Sequence, residues 1–149
     1  MSAVRVYVCE CGPIIKEALD LDALSDRLAE LPEVEQVKRH ATLCSQDGRA
    51  WFADELREHP ESRAVVVGCS PREHGDTFMK VCRRAGVNAY LLTMANVREQ
   101  CTWVTEDRDA AFEKALAISR AAVARVGRAQ PLVEQEIEAH TDVLVIGSG

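Results

Sequence analysis

Arg63-Ala-Val-Val-Val-Gly-Cys-Ser-Pro71 is a short, continuous apolar run with a polar start and a turn at its end. A strand that alternates apolar and polar residues has one wet face; a run such as Ala64 to Val67 suits a strand buried on both faces, as in a parallel sheet. Pro71 is well placed in the first turn of a following helix, where its missing N–H costs nothing. The stretch therefore reads as strand, turn and helix, and the rest of the chain repeats that unit.

Upstream, Val4 to Val8 reads as a strand closing in Cys9-Glu-Cys-Gly12. Asp20 is a natural cap for a helix whose apolar face is Leu21, Leu24, Leu28 and Leu31, and Pro32 ends it. Residues 34–43 read as a weaker second strand closed by Cys44-Ser-Gln-Asp-Gly48, then a short helix to about His59 with Trp51, Phe52 and Leu56 inward. Downstream, the helix after Pro71 runs to Ala85, with Gly86 as its C-terminal stop. Ala89 to Met94 reads as a fourth strand, and Arg108 to Arg125 as a last helix with Phe112, Leu116, Ala122 and Val123 inward. Strand and helix alternate four times, which predicts an α/β fold: a Rossmann-like or flavodoxin-like open parallel sheet of about four strands, with helices on both faces.

The sequence predicts three parts. Residues 1–127 form the α/β domain, residues 128–140 a polar linker around Pro131, and residues 141–149 a buried-type strand, Val-Leu-Val-Ile, running into Gly147-Ser-Gly149. That ending is the first half of a G-x-G-x-x-G dinucleotide site and points to Gly147 and Gly149 as the start of a phosphate-binding turn. A fifth strand of the same sheet is the competing reading.

At 149 residues, 47% hydrophobic and 28% charged, the composition is that of one ordinary globular domain. A net charge of −6 argues against a nucleic-acid surface, which needs clustered Lys and Arg. No stretch approaches the roughly 18 apolar residues of a membrane span, and Met1 to Val8 does not read as a signal peptide. A cytoplasmic setting is expected, and there six cysteines are better explained by metal or redox chemistry than by disulfides.

Cys11, Cys44, Cys69 and Cys101 each follow a different predicted strand. In a parallel sheet those ends share one edge, where ligands gather, so four distant thiols would converge. A [4Fe–4S] cluster takes four cysteine sulfurs, and structural zinc takes four Cys or His. Cys9 is a fifth candidate, and Cys82 reads as core. Arg72, His74 and Arg98 lie on the same loops as surroundings for the site, together with Glu99; cations there would stabilise an anionic thiolate group. Competing readings are a thiol-redox enzyme using Cys9/Cys11 or Cys69, a structural zinc module, and a docking domain with no metal.

Five blocks then carry a family resemblance: Cys9-Glu-Cys-Gly12, Cys44-Ser45, Val65-Val-Val-Gly-Cys-Ser-Pro-Arg72 with His74, Ala85-Gly-Val-Asn-Ala-Tyr90, and Met94-Ala-Asn-Val-Arg-Glu-Gln-Cys-Thr-Trp103. Together they resemble the N-terminal domain of the A-type subunit of heterodisulfide reductase, over essentially the whole chain. The resemblance implies one [4Fe–4S] cluster beside a thioredoxin-reductase-like FAD domain that opens at Val143-Leu-Val-Ile-Gly-Ser-Gly149. It also implies electron transfer, including flavin-based bifurcation, with B-type and C-type reductase subunits and a hydrogenase or formate dehydrogenase. Cys9, Cys11, Cys44, Cys69 and Cys101 fall on the family's cysteine positions; Cys82 has no counterpart. The chain departs from the family's usual pattern at Ile14-Ile15, Gly75-Asp76 and Thr105.

Overall fold

The computed structural model describes residues 3–139 and 141–147. Four strands, β1 (Val4–Cys9), β2 (Val34–His40), β3 (Arg63–Gly68) and β4 (Leu92–Asn96), form one sheet in the order β2-β1-β3-β4, with every pairing parallel. β1 and β3 occupy the middle and are buried along their whole length. That accounts for the uninterrupted Val-rich run, since neither face of a central strand meets water.

Side chains alternate across the sheet. Val4, Val6, Val8, Val65 and Val67 pack into one core with α1 (Pro13–Lys16), α2 (Leu21–Ala29) and α5 (Arg108–Gly127). Tyr7, Cys9, Ala64 and Val66 pack into the other with α3 (Gln46–Glu58) and α4 (Pro71–Ala85). The sheet is thus covered on both faces, as the sequence predicts. Aromatic edges fill the second core: Tyr7 meets Phe52 at 4.9 Å between ring centroids, and Phe52 meets Phe78 at 5.7 Å.

Capping explains where the helices begin. Asp20, Ser45, Ser70 and Asp107 each accept a backbone N–H of the first turn of α2, α3, α4 and α5 respectively. Gly86 closes α4 at φ 78°, a left-handed position that a side chain would resist.

Several details differ from the sequence reading. β2 stops at His40 because the His40 ring takes the Thr42 N–H at 3.1 Å and turns the chain. α3 starts before Gly48, not after it: a Cβ at that position would collide with the Thr42 carbonyl and stand 2.8 Å from Leu43 Cα. Ala89–Leu91 is a 3₁₀ turn, capped by the Asn88 side chain, so β4 begins only at Leu92. Phe112 and Trp51 are half-buried instead of fully inward. Residues 141–147 form no strand, and Val143 to Ile146 are exposed; neither the fifth-strand arrangement nor a pairing of this stretch occurs among the described residues. Gly147 has φ 86°, and Gly149 lies outside the described residues.

Candidate metal centre

The order 2-1-3-4 places a topological switch at β1 and β3. The connections leaving those two strands run to opposite faces of the sheet, and in open α/β sheets ligands gather beyond the C-terminal strand ends at such a point. The thiols are there. Cys9 is the last residue of β1, Cys11 lies two residues on, and Cys69 directly follows β3. Cys44 sits in the turn that leads from β2 into α3.

Backbone features steer these side chains. Gly68 faces Cys9, and a methyl there would stand 3.2 Å from the Cys9 Cβ, so the glycine lets the two central strands approach at the site. Cys11 has φ 51°, the single non-glycine residue in the left-handed region among those described, and Gly12 follows at φ 58°. An L-residue held there costs on the order of 1 kcal/mol, and such strain concentrates at functional positions.

Cys9, Cys11, Cys44 and Cys69 form one electrostatic group: Cys9 senses Cys11 and Cys44, and Cys69 senses Cys11 and Cys9. Leu43 donates its N–H to Cys9 Sγ at 3.4 Å, and the Arg98 guanidinium donates to Cys11 Sγ at 3.4 Å. Burial works against the Arg98 charge, but the Glu99 carboxylate and the Cys11 sulfur outweigh it and hold the guanidinium protonated beyond the ordinary arginine range.

Cys101, the fourth thiol expected at a strand end, is not in this group. Residues 98–102 form a π-helical turn, with the Thr102 N–H bonded to the Val97 carbonyl at 2.9 Å and the Trp103 N–H to the Arg98 carbonyl at 3.0 Å. The turn delivers Cys101 into the core beneath α5, fully buried beside Ala111 and Ala115, where its S–H donates to the Ala111 carbonyl at 2.9 Å. Cys82 is likewise core, on α4. Arg72 is exposed on the first turn of α4 and lines a cavity with Asn96, Gln100 and Arg125, not the thiol group. His74 packs its ring edge against Phe78 at 6.4 Å. Of the three residues expected around the site, Arg98 is the one that touches a sulfur among the described residues.

Burial pushes the Cys69 thiol up to about 12, with only a partial opposing pull from Arg98, and burial also raises Cys9 against the N–H groups of Leu43 and Cys11. A nucleophilic cysteine at a helix N-terminus has its thiol lowered, the opposite direction to Cys69 here. Among the described residues no three His, Cys, Asp or Glu side chains are already arranged to hold a metal ion, so a metal of either kind, zinc or iron, would require these side chains to close on it. The sulfurs carry a guanidinium donor on Cys11 and a backbone N–H donor on Cys9, and four cysteines are the ligand type an iron–sulfur cluster takes. Glu99 and Trp103 complete the surroundings: Trp103 lies 5.0 Å from the guanidinium carbon of Arg98, a cation–π contact that strand-and-helix periodicity cannot reveal.

The fold and its thiol group thus define a doubly wound parallel α/β domain with cysteines gathered at the C-terminal strand ends beside the switch point. No protein-family model matches the chain. Over 147 residues, 98% of its length, it is 36% identical to a protein of Archaeoglobus profundus described as like the A-type subunit of heterodisulfide reductase. It is 38% identical to the A-type subunit of the H(2):CoB-CoM heterodisulfide,ferredoxin reductase of Methanothermobacter thermautotrophicus, over the same span. It is 33% identical, again over that span, to the first iron-sulfur A-type subunit of the CoB--CoM heterodisulfide reductase of Methanopyrus kandleri. The chain covers 21–22% of the length of these three relatives. It corresponds to one domain of the heterodisulfide reductase A-type subunit family.

Proposed function

We propose that this domain holds a [4Fe–4S] cluster on Cys9, Cys11, Cys44 and Cys69 and serves electron transfer within a heterodisulfide reductase-like oxidoreductase. The observation that carries the reading is the gathering of four thiols from three strand ends at the switch point, with Arg98 donating to one of them. One relative is named as an iron-sulfur subunit, which supports the cofactor class. When bound, the cluster supplies a one-electron store.

The chain's own residues supply the rest. Cys9 and Cys69 lose their protons on binding, since the thiolate is the ligand form, and the released protons make binding pH-dependent. The Leu43 N–H and the Arg98 guanidinium then face anionic sulfur, where charge-assisted hydrogen bonds are roughly twice as strong as neutral ones. Cys9 and Cys69 are buried, while Cys11 and Cys44 are half-buried at the rim. Cys101 serves packing beneath α5.

The wider setting rests on the family resemblance of the sequence blocks. Residues 128–140 act as a linker, and Val143 to Gly149 open an FAD-binding domain in which Gly147 and Gly149 approach the pyrophosphate. The partners are B-type and C-type reductase subunits and a hydrogenase or formate dehydrogenase that feeds electrons in. No helix among the described residues is long and apolar enough to cross a membrane.

Anaerobic reconstitution with ferrous iron and sulfide tests the ligand set. Cys9→Ser is expected to lose most of the bound iron, and Cys101→Ser to keep it. Full iron in Cys9→Ser together with loss in Cys101→Ser would reassign the fourth ligand.

A further inference from the structure

Resting on the cluster reading above, we propose that Arg98 and Glu99 form an opposed charge pair that positions the Cys11 and Cys69 turns and sets the reduction potential of the group they hold. The π-helical turn at residues 98–102 puts both side chains on the crevice rim. Single π-turns inside helical geometry are uncommon and recur at functional sites.

Arg98 reaches back to the β1 turn. Its Nη1 donates to Cys11 Sγ at 3.4 Å, its Nη2 pairs with Glu99 Oε1 at 2.7 Å, and the indole of Trp103 covers its guanidinium. Glu99 reaches across to β3. Its Oε2 accepts the Ser70 N–H at 2.8 Å, one residue past Cys69, and its own N–H donates to Asn96 Oδ1 at 3.1 Å. One adjacent pair of residues therefore ties together the two turns that carry Cys11 and Cys69.

The pair is also poorly hydrated. The side chains of Arg98 and Glu99 are 16% and 21% exposed, against about half or more for each partner of the Arg57–Asp54 and Lys80–Asp76 pairs. Desolvating two charges is costly, and hydrophobic replacements often serve stability as well or better. A retained pair with one member directed at sulfur is explained by electrostatics at that sulfur. Adding an electron to the group adds a negative charge, so a nearby cation favours the reduced form and a nearby carboxylate opposes it. In a partly dry crevice both effects are larger than in water. Trp103, 58% exposed, fixes the guanidinium from the solvent side and keeps its donor on Cys11.

The test is a mediator-poised EPR titration, with dithionite as reductant, of the reconstituted chain and three variants, each assayed for iron and sulfide. Arg98→Gln is expected to lower the reduced-to-oxidised ratio at fixed applied potential about tenfold, a shift of about −59 mV for a one-electron couple. Glu99→Gln keeps an acceptor for the Ser70 N–H but removes the opposing charge, so its potential is expected to rise. Arg98→Lys, which keeps the charge, is expected to fall between Arg98→Gln and the parent. Potentials that stay put or move in the same direction in Arg98→Gln and Glu99→Gln, at full iron content, overturn the charge-pair inference and leave the cluster reading standing. Equal loss of iron from all three variants reduces the pair to a structural tie and likewise overturns it. A parent chain that takes up no iron removes the cluster reading itself, and this inference with it.

Discussion

Cys9 and Cys101 are both enclosed cysteines near strand ends, yet their sulfurs have different occupations. Cys9 Sγ accepts an N–H from Leu43 and senses two other thiols; Cys101 donates to the Ala111 carbonyl inside the α5 core. Strand-end position alone could not separate them, because the π-helical turn that rotates Cys101 inward leaves no periodic trace in sequence. The difference predicts stability as well as iron content: Cys101→Ala removes a packed thiol and its hydrogen bond and is expected to cost about 1–3 kcal/mol in urea unfolding, read from the midpoint shift at constant slope. Tyr7 makes a second residue-scale case. Burial, aided by Glu55, raises its phenol to about 12. In the unfolded chain it ionises near pH 10, so the neutral phenol stabilises the fold fully below that value, and the contribution drains away as pH rises from about 10 to about 12. Tyr7→Phe is expected to flatten the stability loss over that window in alkaline urea titrations. An unchanged slope would mean that the buried phenol does not govern it.

At the scale of elements, the alternation of strand and helix was readable because each unit carries its own punctuation. Ser70-Pro71 opens α4 and Gly86 closes it, and Asp20 caps α2. The boundaries that the sequence misplaces are those set by contacts between elements. Gly48 looks like a turn glycine after Cys44, but it lies in the first turn of α3, pressed against the backbone of Thr42 and Leu43. That contact holds the turn bearing Cys44. Gly48→Ala is therefore expected to cost about 2–3 kcal/mol by overpacking, and to impair iron retention at temperatures where the chain is still folded by circular dichroism. Asp20→Ala, far from the crevice, is expected to cost about 1 kcal/mol with no change in iron content. The two variants together distinguish a local support of the site from general stability.

Across the whole molecule, cysteine chemistry and linker lie at opposite ends of the sheet. The thiols sit beyond the C-terminal ends of the strands. Residues 129–134 are strapped near the N-terminal ends, where Arg63 donates to the Ala129 carbonyl, Asn88 to the Leu132 carbonyl, and Arg83 pairs with Glu134 at 2.6 Å. Hydrogen bonding and charge from Arg83 hold the Glu134 carboxyl below the usual carboxylate range, so the strap is expected to loosen as pH falls through that range and as salt screens the pair. Faster proteolytic nicking within residues 129–134 at high salt, reproduced by Glu134→Gln at low salt, is the expected outcome. This arrangement was invisible beforehand, because a polar stretch around Pro131 reads as free linker whether or not it is tied down. The domain's role turns on whether these sulfurs carry an inorganic cluster, and the most direct measurement is iron and acid-labile sulfide per chain in anaerobically prepared protein. The expected result is about four of each, as for a [4Fe–4S] group; zinc in place of iron, or iron without sulfide, would contradict it.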